Sequence, residues 1–457
     1  MKNKRKRIIW TILGVFGIFI LVVGITAMST YGRINAMPLN QTGFSLESNV
    51  TIHKSEASMN GSWWGHNQKK MASIGDTIFS SELHNENYFS FPESEEHPNT
   101  ASLNYFDGAK FVTFQEDIPT RNAPNVITDK TRNLIYYFAI APKGEHGVDS
   151  PWSNSAIQNY TMMYVYNFDP LTKQITLNRV EEIIRPNYFE NGQIRAGVDM
   201  DSDGNIAFVY GTYDKKIEVY LFDVNQELWS HMTYTGLEDG MMYAYVEMKS
   251  LSEFDILVEE DYSDYEHPNS MYFYTKMFSY NEGIWEEKMI VDYRNHPNAD
   301  FLNNTHFVEN SSFAQIDGTF HIITVSLEEY ANEIKYFQVD NGELTETKLP
   351  FGNGKAEYKM VRVIEVNGSV FFVTINNFGQ LTVYDNEGTK QFQIGFLTWK
   401  TFRIYAYSFA TKLAIMTFPS SSEKSKNDDT FSPNGFGYET MKAKFFLLEK
   451  NNFLPGF

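Results

Sequence analysis

The sequence predicts an all-β fold, a run of similar antiparallel sheets preceded by one N-terminal transmembrane helix. Three observations carry that reading: an aromatic strand recurs seven times, tight-turn signals precede the copies, and one long stretch near the start has no charge. The composition agrees. Of 457 residues 42% are hydrophobic, and 37 Phe with 28 Tyr supply strand-forming aromatics at a density that argues against a helical bundle. That much apolar material also buries a large core, which excludes a disordered chain. The absence of cysteine excludes disulfides, zinc–thiolate and iron–sulfur sites, a thiol nucleophile and a lipidated cysteine.

The first element is a basic cluster, Lys2, Lys4, Arg5, Lys6 and Arg7, directly before the uncharged stretch Ile8–Met28. About 20 helical residues span a bilayer core, so residues 8–28 read as a transmembrane signal anchor in contact with membrane lipid. Ala27-Met28-Ser29 resembles a small-residue cleavage site, but the stretch is longer than the apolar region of a cleaved signal, which favours a retained anchor. Basic flanks stay inside. Residues 1–7 are therefore expected in the cytoplasm, residues 29–43 as a stalk, and residues 44–457 as the extracellular domain of a single-pass cell-membrane protein.

Beyond the anchor the chain is strongly acidic: 38 basic residues, less the five of the cluster, against 57 acidic ones leave −24. Such a surface repels phosphate backbones, which argues against nucleic acid as a partner. It suits cationic partners or divalent ions, and solubility alone also accounts for it. A large exported chain without cysteine points to a bacterium with a Gram-positive-like surface.

The repeated strand alternates aromatic residues and ends in an acidic or Asn/Gly turn. Its copies are Tyr105-Phe106-Asp107-Gly108, Tyr164-Val165-Tyr166-Asn167-Phe168-Asp169, Val219-Tyr220-Leu221-Phe222-Asp223, Tyr272-Phe273-Tyr274 leading to Tyr280-Asn281-Glu282-Gly283, Tyr336-Phe337-Gln338-Val339-Asp340-Asn341-Gly342, Leu381-Thr382-Val383-Tyr384-Asp385 and Phe445-Phe446-Leu447-Leu448-Glu449. A hairpin signal precedes them, as in Ile316-Asp317-Gly318 before Phe320-His321-Ile322-Ile323, and Val366-Asn367-Gly368 before Val370-Phe371-Phe372-Val373. Both central residues of such turns take positive φ, which is why Asn-Gly and Asp-Gly mark them. The unit reads as strand, turn, strand, longer loop, strand, and it recurs about every 57 residues. Asn49-Val50-Thr51-Ile52-His53 is placed to pair with the last unit and close a ring. Ser420 to Asn434, rich in Ser, Lys, Asp and Asn, reads as a solvated loop in that unit.

On these repeats, residues 44–457 resemble the β-propeller superfamily. The resemblance implies a ring of seven blades, with six and eight as alternative counts, and it is architectural, so it transfers no activity. Regular Trp-Asp signatures and the kelch Gly-Gly pattern are missing. Ser279-Tyr280-Asn281-Glu282-Gly283-Ile284-Trp285 approaches a sialidase-type Asp box, but Asn replaces the Asp and the Trp comes one residue early.

Three sets of residues are candidate sites. Asp199-Met200-Asp201-Ser202-Asp203-Gly204 alternates carboxylates at Asp199, Asp201 and Asp203 as calcium loops do, but Ala207 and Tyr210 fall where the later ligands belong. A hairpin turn explains the same residues. His-Pro-Asn occurs at His97, His267 and His296, the first two within acidic loops, and convergence of the three would hold a transition metal or a cationic ligand. Exposed Pro-Asn turns are the plainer explanation. Trp63-Trp64 offers a stacking platform for a glycan or a protein partner, although on a strand one of the two would face the core. Trp152, Trp229, Trp285 and Trp399 are expected between blades.

No nucleophile elbow, zinc-protease helix or phosphate-binding glycine loop is present, and no resident cofactor is predicted beyond calcium or a transition metal. The expected function is a surface-anchored propeller that binds a partner protein or another surface ligand without catalysis. The alternatives are an exported glycan-active hydrolase or lyase with acidic residues at the channel, and a metal-binding ectodomain using the His-Pro-Asn loops.

Overall fold

The computed structural model describes residues 38–52, 67, 69–84, 100–120, 124–143, 158–184, 196–212, 215–237, 241–260, 274–292, 307–327, 332–352, 358–376, 379–395, 401–419 and 444–451. Residues 1–37, and with them the expected anchor at residues 8–28, lie outside this set. Among the described residues no helix is long and apolar enough to cross a membrane.

The described residues form seven antiparallel sheets, the blades of a β-propeller. Two strands, β1 (Pro38–Asn40) and β2 (Phe44–Thr51), precede blade 1, which is β3 (Met71–Ile74), β4 (Thr77–His84), β5 (Thr100–Phe106) and β6 (Phe111–Pro119). Blade 2 is β7 (Asn125–Asp129), β8 (Leu134–Lys143), β9 (Gln158–Phe168) and β10 (Ile175–Ile184). Blade 3 is β11 (Gly197–Met200), β12 (Ile206–Gly211), β13 (Ile217–Asp223) and β14 (Leu228–Tyr234). Blade 4 is β15 (Met241–Ser250), β16 (Glu253–Glu260), β17 (Tyr274–Asn281) and β18 (Ile284–Asp292). Blade 5 is β19 (Phe307–Ile316), β20 (Thr319–Leu327), β21 (Asn332–Asp340) and β22 (Glu343–Thr347). Blade 6 is β23 (Tyr358–Val366), β24 (Ser369–Asn376), β25 (Leu381–Asp385) and β26 (Lys390–Ile394). Blade 7 is β27 (Thr401–Phe409), β28 (Lys412–Pro419) and β29 (Lys444–Lys450), completed by β2.

The first strands of the blades touch in a closed circle, β3–β7–β11–β15–β19–β23–β27–β3, and so define a central channel. The seven aromatic copies in the sequence fall on the third strands of their blades, the fourth of them from Tyr274 on, its Tyr272-Phe273 lying outside the described residues. The fourth strands are the part the repeat did not reveal, because their residues are half-exposed and polar, as in the alternating Leu228–Tyr234. Ring closure runs through β2, whose Val50 pairs with Phe445 and whose Phe44 pairs with Lys450. One boundary moves. Within the segment expected as stalk, β1 pairs with β26 as a fifth strand of blade 6, so the ring includes residues before 44.

The core is divided among the junctions. Seven clusters of buried apolar residues each join one pair of neighbouring blades, including blade 7 with blade 1, where Phe445 meets Phe106 at 4.9 Å and Phe111 at 5.0 Å. Inner strands are buried on both faces, so Ile206–Gly211 reads as an unbroken apolar run.

The ring's two faces differ by topology. First-to-second and third-to-fourth strand connections are short turns on one face, here the turn face. Asp317 and Gly318 there have φ of 50° and 83°, Asn367 and Gly368 have 50° and 71°, as the hairpin signals require. The Asp that ends several aromatic copies caps the following turn: Asp107 Oδ1 accepts the Ala109 and Lys110 N–H groups at 2.8 Å, and Asp223 and Asp385 do the same in blades 3 and 6. Second-to-third strand and blade-to-blade connections join strand ends on the opposite face, here the crossover face.

Candidate functional site

The residues entering blade 1 reach across the channel. Asn67 Nδ2 donates to the Ala244 carbonyl of β15 in blade 4 at 2.6 Å. Two residues later, the Lys69 N–H donates to Asn125 Oδ1 at 2.8 Å, and the Lys69 carbonyl accepts the Val126 N–H at 2.9 Å, both in blade 2. The Lys69 ammonium pairs with the Asp199 carboxylate of blade 3, whose other oxygen accepts the Met248 N–H of blade 4 at 2.8 Å. Four blades are therefore fastened at one point. Gly197 is required there, since a Cβ would stand 2.4 Å from the Ala244 carbonyl oxygen.

Glu247, half-buried on β15, completes the cluster. Burial, and then the Asp199 carboxylate, push its carboxyl up to about 8 against the pull of Lys69. Burial works to lower the Lys69 ammonium, but Asp199 and Glu247 outweigh it and hold that group above its ordinary value. Tyr407 of blade 7 faces the same region, its hydroxyl accepting the Ser73 N–H at 3.1 Å. A cavity of about 400 Å³, lined by Lys69, Thr128, Asp129, Asp199, Asp201 and Tyr407 among others, runs from this cluster to the turns of blades 2 and 3. Its size falls in the range of small-molecule pockets.

The three aspartates of the calcium-like loop hold different parts of this frame. Asp199 makes the junction just described. Asp201 caps its own hairpin, accepting the Asp203 and Asn205 N–H groups at 2.9 Å and the Asn205 side chain at 2.8 Å. Asp203 contributes its carbonyl to Arg132 at 2.8 Å, and Arg132 in turn pairs with Asp129 at 2.7 Å. Among the described residues no group of three His, Asp or Glu side chains is placed to hold a metal ion. His97, His267, His296, Trp63 and Trp64 lie outside the described residues. The strand ends flanking them, in the β4–β5, β16–β17, β18–β19 and β2–β3 connections, all belong to the crossover face. Trp229 and Trp285 pack at the 2–3 and 3–4 blade junctions as expected, Trp229 at 5.1 Å from Phe222 and Trp285 at 5.1 Å from Tyr234. Trp152 and Trp399 lie outside the described set.

Sequence reasoning missed Lys69 and Glu247. The signal was present as charge inside apolar runs, Lys69-Lys70 before Met71-Ala72 and Glu247 within Tyr245-Val246-Glu247-Met248, but nothing in one sequence pairs residues of different blades.

No family model matches the chain, and no curated protein matches it. Among solved structures, a protein from Lactobacillus plantarum is 13% identical over 72% of this chain and 85% of its own, with a TM-score of 0.42. BBS1N, solved in complex with ARL6DN, is 9% identical over 90% and 98%, with a TM-score of 0.44. The RRP9 WD40 repeats are 7% identical over 91% and 100%, also at 0.44. At these identities the likeness is one of fold alone.

Proposed function

We propose that this chain is a membrane-anchored, extracytoplasmic propeller that binds a partner protein at the cell surface. The observation that supports it best is the construction of the turn face. Its connections are short, several are capped by Asp side chains, and the first-to-second strand turns of blades 2 and 3 line the 400 Å³ channel cavity. A surface already fixed in one conformation loses little freedom on binding, so contact area is converted into affinity efficiently. β1 and β2 are the first described strands, so an anchor at residues 8–28 would tether the ring through blades 6 and 7. The test is a pull-down of the intact chain from its native membrane, with a C-terminal tag probed from outside the cell. Recovery of a saturable protein partner and an accessible tag support the reading; a protected tag, or no partner, overturns it.

A second reading has one observation in its favour. A carboxyl held protonated near neutral pH beside a second carboxylate is what a general acid requires, and Glu247 beside Asp199 has that character. This corresponds to the glycan-active alternative. Turnover of wall glycan that disappears in Glu247→Gln would establish it in place of simple binding.

A further inference from the structure

Seven blades leave seven outer strands on the rim of the ring. A strand at a sheet edge points the N–H and C=O of every second residue away from its sheet, and such a row pairs readily with another strand. Six of the seven are guarded or covered. β6 holds Asp117 at a φ of 59° and shifts register twice against β5. β10 shifts twice against β9 and carries Arg179, Glu181 and Glu182. β18 also shifts against β17 and carries Glu286, Glu287 and Lys288. β22 has five residues, two of them glutamates, and β2 is interrupted between Leu46 and Ser48. β26 is occupied, since β1 lies on it as a fifth strand. β14 has none of these guards. Leu228–Tyr234 pairs with β13 residue for residue without a shift, and it contains no proline and no Asp, Glu, Lys or Arg. Among the described residues no strand lies on its outer side. It is also held extended: His231 Nε2 and the Thr233 hydroxyl both meet Glu218 Oε2 at 2.6 Å, and His231 stacks on Tyr220 at 4.3 Å. Leu228 stands 62% exposed at its start.

We infer that β14 receives an extended segment of a protein partner as a fifth strand of blade 3, as blade 6 receives β1, with apolar side chains toward Leu228 and Met232 and basic residues at its ends. The inference rests on the partner-binding reading and adds to it a second point of contact, on the rim, with its chemistry. Leu228 and Met232 share one side of β14 by strand alternation. Basic ends follow from charge: the chain carries a formal −19, and the neighbouring outer strands present Glu182 and Glu286 to solvent. The same charge argues against a second copy, since two such chains repel. Two convex rings meeting along one strand of about 24 Å also bury far less than the ~800 Å² per partner of a stable association. An extended segment meets neither obstacle, because its backbone pairs along the whole strand and its side chains reach down both sides of the blade.

The experiment titrates the full chain with the fluorescently tagged peptide Lys-Thr-Val-Thr-Val-Thr-Lys-amide and with its fully N-methylated counterpart, read by fluorescence anisotropy. Saturable binding of the first alone is expected, since N-methylation removes the backbone donors and keeps charge and side chains. Adjacent residues of an antiparallel strand point their N–H groups in opposite directions, so of Ser230→Pro and His231→Pro one leaves the ladder with β13 intact. That variant, the one with the higher Tm, weakens binding at least tenfold. Leu228→Asn weakens it at least threefold, and Leu177→Asn, on the bulged β10 and 54% exposed, leaves it unchanged. Leu228 is exposed, so its variant decides the matter even where neither proline variant folds. Equal binding of the N-methylated peptide, or equal weakening by Leu177→Asn, would reduce the effect to general attraction by the surface and overturn the edge. A dimer of the full chain in sedimentation that the proline variant dissolves would put a second copy on β14 and overturn the partner segment. A native partner captured equally by the proline variant refutes the edge and leaves partner binding standing. Peptide binding at β14 with no native partner recovered removes the partner reading and leaves only the affinity of the edge for strands.

Discussion

The ring is fastened in two places by opposite means. At the seam, β2 lies against β29 in a neutral backbone ladder, and the Asn451 N–H donates to the Gly43 carbonyl at 2.9 Å while its side chain donates to the Gln41 and Thr42 carbonyls at 3.0 Å. Phe44, fully buried, meets Phe371 of blade 6 edge-on at 5.0 Å. In the channel, by contrast, blades 1 to 4 meet through Lys69, Asp199 and Glu247. The seam works mainly by apolar burial and peptide hydrogen bonds, which respond weakly to pH and salt, with one ion pair beside them, Glu47 of β2 with Lys412 of β28 at 3.0 Å. The channel junction works by charge, which responds to both. Closure of the circle therefore depends less on solution conditions than the point beside the cavity does.

The largest expected effect breaks the seam. Phe44→Ala leaves a cavity between blades 6 and 7 and loses its ring contact with Phe371, at about 3–5 kcal/mol. Urea unfolding of the full chain measures it, and the loss should be the same at low and high salt. A loss under about 1 kcal/mol would mean that the seam contributes little to closure.

The channel junction comes next. Asp199→Asn removes a charged acceptor shared by Lys69 and the Met248 N–H, worth about 2 kcal/mol. The lower part of the range for such bonds applies because the Lys69 side chain is 39% exposed. Repeating the unfolding in 1 M salt should shrink this loss while leaving that of Phe44→Ala intact. If both respond alike to salt, the contrast between the two fastenings disappears.

A pH series sharpens the same contrast. Glu247 holds its proton in the folded chain up to about 8, against an ordinary 4.5. Between those values the folded chain keeps a proton that the unfolded chain has released. Its contribution is therefore full below about 4.5, falls as pH rises, and is lost above about 8. Glu247→Gln should flatten that decline between pH 5 and 8. An unchanged slope would assign the decline to other groups.

Much of this fold was legible in the sequence, and the parts that were not share a physical reason. Third strands such as Val219–Asp223 are buried on both sides and end in a residue that caps a turn, so aromatic alternation and the terminal Asp repeat together. Fourth strands such as Ile175–Ile184 face solvent over much of their length, and selection for packing leaves little mark on them. The closing role of Asn49–Thr51 was readable because a ring needs a partner for its last sheet; the pairing of Pro38–Asn40 with blade 6 was not, since three residues carry no periodicity. Of the candidate site, Asp199 stood out as part of a carboxylate pattern, but its working partners are Lys69, 130 positions away, and Met248, 49 away. Spacing along the chain does not report contacts made by ring closure.

The smallest effect tests the turn face, whose turns in blades 2 and 3 line the channel cavity. Gly368 has a φ of 71°, and a Cβ built there meets nothing within 4 Å, so Gly368→Ala isolates the backbone preference, about 1 kcal/mol. Gly388, in the next turn of the same blade, has a similar φ of 81°, but its Cβ would stand 2.0 Å from the Pro350 carbonyl oxygen. Gly388→Ala therefore carries the same backbone penalty plus the displacement of the strand connection between blades 5 and 6. The difference between the two variants in urea unfolding measures how firmly the connection between blades 5 and 6 is seated against the β25–β26 turn. A clear excess for Gly388→Ala means a face that resists deformation, as a preformed binding surface must. Equal losses would mean that the Pro350 segment yields freely, and the β25–β26 turn would then owe none of its rigidity to that contact.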